Sequence, residues 1–304
     1  MVNLVTDVKS LELETLKNLK SSKSLNTLRA YKADYKDFAN FCIKNGFKPM
    51  PSEPKFITLY LTHLSKSSKF STLKRRLASI NVIHKLSGHY IDIKHPMIAE
   101  NLMGIKRVKG SNQKAKKPIL INDLKLIVNA IDQEKNELNK LKNRALVLIG
   151  FSGGFRRSEL VAIEYEDVDF VKEGVKIFIK RSKTDQSGEG MTKGIPYFLN
   201  NNYCPVKALE SWINKSNIKK GKIFDMSDKN VALVIKKYVA LAGLDPNKYS
   251  GHSLRSGFAT SVAELGAEER SIMAMTGHKT TQMVRRYIQE SNLFKNNALN
   301  KIKL

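Results

Sequence analysis

Cysteine is nearly absent from this chain: there are two in 304 residues, Cys42 and Cys204. They lie far apart in no ligand spacing, which argues against a disulfide framework and against a zinc site. Both read as reduced, partly buried small hydrophobes. Long apolar runs are lacking too. The longest, Ala145 to Phe151, is far too short to span a bilayer. The N-terminus carries Asp7, Glu12 and Glu14 inside its apolar pattern, which is not the pattern of a signal peptide. No internal repeat or low-complexity block stands out. A cytoplasmic protein with no membrane partner is the expectation. Acidic residues are missing from a whole stretch: none falls from Pro54 to Ile91, where Lys55, Lys66, Lys69, Lys74, Arg75, Arg76 and Lys85 all lie.

What is present is positive charge. Lys and Arg number 53 against 28 Asp and Glu, a formal net charge of +25. Residues 1–117 hold 23 basic against 8 acidic side chains, and residues 118–304 hold 30 against 20. An imbalance of that size favours a polyanionic partner, nucleic acid before membrane. The acid-free stretch suggests a surface facing phosphates. Hydrophobic residues make up 41% of the chain, enough for real cores, and the length suggests two domains.

The first third reads as helical. Leu28, Tyr31, Tyr35 and Phe38 recur at helical spacing after a start signal at Ser24 or Asn26. Phe56, Leu59, Tyr60 and Leu64 make a second stripe, and Leu73, Leu77, Ile80 and His84 a third. The pattern predicts a helical bundle over residues 1–106 with one basic side. Residues 107–117, rich in Gly, Ser, Asn, Gln and basic side chains, read as a linker. A second domain, 118–304, opens on a helix that Ile121-Asn122-Asp123 should cap. Strands are expected near 168–170, 175–180 and 195–199, followed by helices to the end. The fold class is therefore mainly α with a small antiparallel β-sheet.

Six residues of the second domain form a suggestive set: Arg156, Lys183, His252, Arg255, His278 and Tyr287. Arg156 follows the turn Ser152-Gly153-Gly154, where glycine frees the backbone for close approach to a ligand. A guanidinium pairs two donors with two phosphate oxygens and keeps its charge. Glu159, one helical step on, can hold it. Lys183 sits in the expected hairpin turn. His252 and Arg255 point the same way on a helix's first turn, which Ser250 or Ser253 could cap. His278 follows Gly277, and Tyr287 comes nine residues later. Each is commonplace alone; together they can surround one phosphate and attack it. Gly188 and Gly190 lack Walker spacing, so no nucleotide cofactor is expected. No metal site or other cofactor is expected either; the acidic group Glu164, Glu166, Asp167 and Asp169 reads as a solvated turn.

These segments resemble the tyrosine recombinases, the lambda-integrase-type site-specific recombinases. The family's T-G-hydrophobic-R-x-S-E-L stretch is similar to Gly153-Gly154-Phe155-Arg156-Arg157-Ser158-Glu159-Leu160, which gives Arg156 rather than Arg157 the role. Its β-hairpin lysine matches Lys183, its H-x-x-R matches His252 and Arg255, its L/T-G-H box matches Thr276-Gly277-His278, and its nucleophile matches Tyr287. The resemblance implies a core-binding (SAM-like) domain over the bundle and a catalytic domain from about residue 118. It implies double-stranded DNA core sites as substrate and a homotetramer on DNA, with a C-terminal interface helix through Leu293, Phe294, Ala298 and Ile302. Lys69, Lys74, Arg75, Arg76, Arg107 and Lys109 are then the expected DNA-binding residues. By the same resemblance Lys183 protonates the leaving 5′ oxygen, His252 assists proton transfer, His278 donates to the phosphate and Glu159 supports from behind. A type IB topoisomerase and a non-catalytic DNA-binding regulator are the competing readings.

Overall fold

The computed structural model describes residues 7–21, 23–110, 115–182 and 188–292, with 299 and 302. The chain divides into two compact units, Met1–Lys114 and Ala115–Leu304. The first is wholly helical among its described residues: α1 Val8–Ser21, α2 Leu25–Lys44, α3 Pro54–Ser65, α4 Phe70–Leu86 and α5 Pro96–Lys109. Ser24 starts α2 as its side chain accepts the Thr27 N–H at 3.2 Å. Proline opens both α3 and α5, where its missing N–H has no helical partner to lose.

The core of this unit is Phe38 and Cys42 from α2, Ile57, Tyr60 and Leu61 from α3, Leu73, Leu77 and Ile80 from α4, and Ile98 from α5. On α3 the buried face is rotated from the expected stripe: Leu59 is exposed and Ile57 and Leu61 are inside. His84 completes the α4 stripe as a buried ring, accepting the Ser52 N–H at 3.2 Å and donating to the Ile80 carbonyl.

Two expectations need correction here. Arg107 and Lys109 belong to the last turn of α5, not to a linker. A last turn needs no apolar face, and basic side chains favour its negative end; Gly110, at φ 71°, ends the helix. At the other boundary, the Lys117 N–H bonds to the Lys248 carbonyl and the Ile119 N–H to the Ser253 carbonyl, so these residues already belong to the second unit.

The second unit runs α6 Ile121–Asp132, α7 Glu137–Ser152, α8 Arg157–Leu160, β1 Val168–Val171, β2 Gly174–Ile179, β3 Met191–Pro196, α9 Pro205–Ser216, α10 Asp228–Leu241, α11 Ser253–Glu264, α12 Glu269–Thr276 and α13 Thr281–Asn292. The start of α6 is Leu120, with no side-chain cap; Asp123 instead accepts from Tyr249 at 2.8 Å and pairs with Lys117. Helix α7 is buried continuously from Ala145 to Ser152 and packs against α6, α9 and α11. The three strands form an antiparallel sheet in the order β1-β2-β3. β3 lies four residues earlier than expected, because its ladder closes where Pro196 faces Gly174 at the start of β2. Phe198 and Leu199, read as strand, are exposed beyond it.

One close approach sets α11 against the start of the unit. A Cβ on Gly257 would lie 1.9 Å from the Ile119 carbonyl oxygen. Backbone cannot yield as a side-chain tip can. Gly257→Ala should therefore destabilise the protein by about 3 kcal/mol, at the upper end of overpacking costs, read as a lowered midpoint in urea.

Candidate active site

The site is built around the turn that links α7 to α8. The Gly153 N–H reaches back to the Ile149 carbonyl and the Gly154 N–H to that of Phe151. A Cβ on Gly153 would fall 2.0 Å from the Phe155 ring. One on Gly154, whose φ is +54°, would press on Phe258 and Thr276 at 3.0 and 3.2 Å. Gly153 is thus required by space, and Gly154 by backbone conformation in a tight surrounding. The turn delivers Arg156 to the start of α8. The Glu159 carboxylate, 3% exposed, accepts both the Arg156 N–H at 2.9 Å and its Nη1. Arg156 Nη2 donates to the Gly277 carbonyl at 3.4 Å. Arg157 turns elsewhere: its stem covers Gly251 and its guanidinium lies 3.7 Å from Asp228.

Arg255, on the first turn of α11, is 1% exposed. Its Nη1 donates to the Gly154 carbonyl at 2.8 Å and its Nη2 lies 3.0 Å from His278 Nε2. A guanidinium only donates, so His278 Nε2 accepts. The ring proton is then on Nδ1, 2.8 Å from Thr276 Oγ1, and Thr276 passes its own proton to the Ile272 carbonyl. This tautomer is assigned from the network. As it stands, His278 offers an acceptor at Nε2, not the donor expected from sequence. Arg255 Nε is buried without a hydrogen-bond partner among the described residues.

Tyr287, half-buried on α13, has its ring 6.1 Å from that of His278. It packs with Ile288 against Ala259, Ala263, Ile272 and Val284. His252 occupies the N-cap position of α11. The neighbouring serines do not cap that helix with their side chains: Ser253 Oγ accepts the Ser250 N–H and Ser250 Oγ accepts the His252 N–H. Lys183, Leu293, Phe294 and Ala298 lie outside the described residues, and Ile302 is exposed.

The electrostatics are those of a cation cluster around one buried carboxylate. Burial, then Arg156, pulls Arg255 down to about 10, with Glu159 opposing. Burial and then Arg255 and Arg156 hold His278 at about 4. His252 is lowered by surrounding protein atoms first and by Arg255, Arg156 and Arg157 next, although its surface is exposed. A fifth basic group is one that sequence reasoning missed. Lys193 on β3 is 1% exposed, and burial above all pulls it down to about 7, with Glu159 opposing and Arg255 and Arg156 adding to the fall. Placing β3 at 195–199 hid it; in the true strand, Met191, Lys193 and Ile195 alternate on the inner face.

The expected DNA-binding residues divide. Lys69, Lys74, Arg107 and Lys109 are exposed on α4 and α5. Arg75 and Arg76 instead pair with Asp34, which is 2% exposed and also accepts from Ser79, and Arg76 lies 3.5 Å from Asp37. The stretch without acid borrows its counter-charges from α2. In the second unit, Glu164 and Asp167 pair with Lys180, and Glu166 accepts the Gly221 N–H. Among the described residues no group of three His, Cys, Asp or Glu side chains could hold a metal ion, and no helix is long and apolar enough to cross a membrane.

Residues 119–293 match the model of the phage integrase family. The chain belongs to that family. It is 42% identical over 281 residues to an integrase/recombinase XerD homolog of Selenomonas ruminantium, covering 88% of this chain and 82% of the relative. With that relative, this integrase is a tyrosine-type site-specific recombinase, an enzyme that breaks and rejoins DNA. Its fold is that of the XerH site-specific recombinase solved in a post-cleavage complex with palindromic difH substrate: TM-score 0.67, 16% identity, 87% of this chain and 76% of that one. A lambda integrase tetramer solved on a Holliday junction has the same fold, with a TM-score of 0.57 and 16% identity over 99% of this chain and 81% of that one.

Proposed function

We propose that this recombinase cleaves double-stranded DNA core sites through a 3′-phosphotyrosyl bond at Tyr287. The observation that carries the reading is the junction of Arg156, Arg255 and His278 around the glycine turn, with the Tyr287 ring beside His278. A phosphodiester resists attack because its oxygens are negative and its leaving alkoxide is poor. Catalysis must neutralise charge, position the nucleophile and protonate the leaving group. Arg156 and Arg255 take the non-bridging oxygens, and the buried Arg255 Nε–H is a donor still to be matched. An arriving phosphate offsets the cations that depress His278, so the ring can gain a proton and donate from Nε2. The Tyr287 oxygen attacks phosphorus, and the 5′ oxygen leaves as a hydroxyl.

The family resemblance assigns that leaving-group proton to Lys183 and assistance at the tyrosine proton to His252. The new bond is a phosphodiester like the old one. A 5′-hydroxyl from the partner strand can therefore reverse the step without ATP or a metal ion. Exchange between two sites needs four active subunits, and the likeness to a tetrameric integrase supports a homotetramer on DNA. The exposed Lys69, Lys74, Arg107 and Lys109 are the phosphate contacts we assign to the helical unit.

The test uses duplexes selected from a random library by binding to the protein, then nicked at successive positions. A nick lets the short cleaved product diffuse away and traps the enzyme on DNA. The expected result is an adduct that survives denaturing electrophoresis and maps to Tyr287. No adduct, or one on another side chain, would overturn the proposal.

A further inference from the structure

Lys193 is a lysine in a core position. On β3 it shares the inner face with Met191 and Ile195, is 1% exposed, and stands opposite Ile177 of β2. Taking an ammonium out of water is expensive, and an apolar side chain of that length would pack there at lower cost. Core stability therefore does not account for it, and its contacts supply the reason. Its Nζ donates to the Gly153 carbonyl at 2.6 Å and lies 4.4 Å from the centroid of the Phe155 ring. The next carbonyl along the turn, that of Gly154, takes Arg255 Nη1 from α11. Two consecutive carbonyls are thus each held by a basic side chain from a different element. The residue after the ring that Lys193 covers is Arg156. From the same strand face, Met191 reaches the turn at Gly277, whose carbonyl accepts Arg156 Nη2.

We propose that Lys193 is a positioning residue for strand cleavage: with Arg255 it clamps the Gly153-Gly154 turn so that Arg156 is presented to the scissile phosphate. Lys193 does not touch the reacting atoms in this role; it acts through Arg156. The inference rests on the cleavage reading above and adds to it a residue from the inner face of the sheet. Reacting groups must be placed closely, and a misplacement of about 1 Å can reduce a rate about 100-fold. The turn is well placed to transmit such a shift, because neither glycine brings side-chain packing of its own.

The experiment compares full-length wild type, Lys193→Met and Lys193→Gln on the selected nicked duplexes. It follows single-turnover adduct formation, affinity for intact duplex and thermal unfolding. For Lys193→Met we expect adduct formation about 30-fold slower, affinity within about threefold and a melting temperature no lower than wild type, since an apolar replacement relieves a buried charge. Lys193→Gln keeps an amide donor and should recover part of the rate. A Lys193→Met enzyme that cleaves at the wild-type rate would overturn the inference while leaving the cleavage reading intact. A rate loss matched by a fall in melting temperature, with no recovery in Lys193→Gln, would reduce Lys193 to a structural lysine. A wild type that forms no adduct removes the cleavage reading itself.

Discussion

Tyr287→Phe should form no covalent protein–DNA product while binding the same duplexes as wild type within about twofold. The change removes one oxygen and leaves the ring that packs on α13 beside Ala259, Ala263, Ile272 and Val284. The ring contact with His278 at 6.1 Å also survives. Stability is therefore expected to fall by no more than about 1.5 kcal/mol, the usual worth of one hydrogen bond. Chemistry is different in kind, because a phenyl ring has no oxygen with which to attack phosphorus. Loss of a covalent nucleophile removes about six orders of magnitude in rate in a well-studied hydrolase, so the adduct should fall below detection. Denaturing electrophoresis of radiolabelled nicked duplex reads the loss, and a mobility shift on the same duplex reads the binding. If the adduct persists in Tyr287→Phe, one of the other nine tyrosines or another nucleophile is the attacking group, and the assignment fails.

The parts of this molecule that sequence makes readable are those set by local rules. The stripe Leu124, Ile127, Val128, Ile131 is buried as a helical period requires. So is Leu73, Leu77, Ile80, His84 on α4. Arg156 with Glu159 is a contact three residues apart, within reach of one helical turn. What escaped depends on pairing between distant segments. Lys193 is invisible as a core residue until the register against β2 fixes which side chains of β3 face inward. Read alone, M-T-K-G-I-P is an ordinary polar strand end, and a lysine there is assigned to solvent. A lysine two residues before a buried isoleucine was the available signal, and it needed the right strand boundary to be heard. For Arg75 and Arg76 the distant pairing is one of charge. A charge count along the chain cannot see that Asp34, some forty residues earlier, lies under both of them. The protonation pattern of His278 likewise needs Arg255 from one helix and Thr276 from the end of another.

That dependence of His278 on Arg255 makes a second large and separable prediction. Arg255→Gln should slow cleavage about 1,000-fold, the usual effect of deleting a donor aimed at developing negative charge. It should also change how His278 titrates in the free protein. His278 is held at about 4 chiefly by burial, and Arg255 is the largest electrostatic contributor. Glutamine keeps an amide donor for the Gly154 carbonyl and removes the charge, so burial remains while the repulsion falls. The ring should then titrate at a higher pH than in the wild type, followed through its imidazole carbon proton by NMR. The consequence for stability has a definite sign. A histidine depressed in the folded state contributes stability that is complete above its unfolded value of 6.5 and is lost as pH falls toward its folded value. Over that window the wild type should lose about 3 kcal/mol through this group, and Arg255→Gln less. The variant is thus expected to start less stable at neutral pH, from the loss of a buried charged donor, yet to decline less steeply in acid. Equal acid slopes in the two proteins, or an unshifted His278 resonance, would show that Arg255 does not set the charge state of His278.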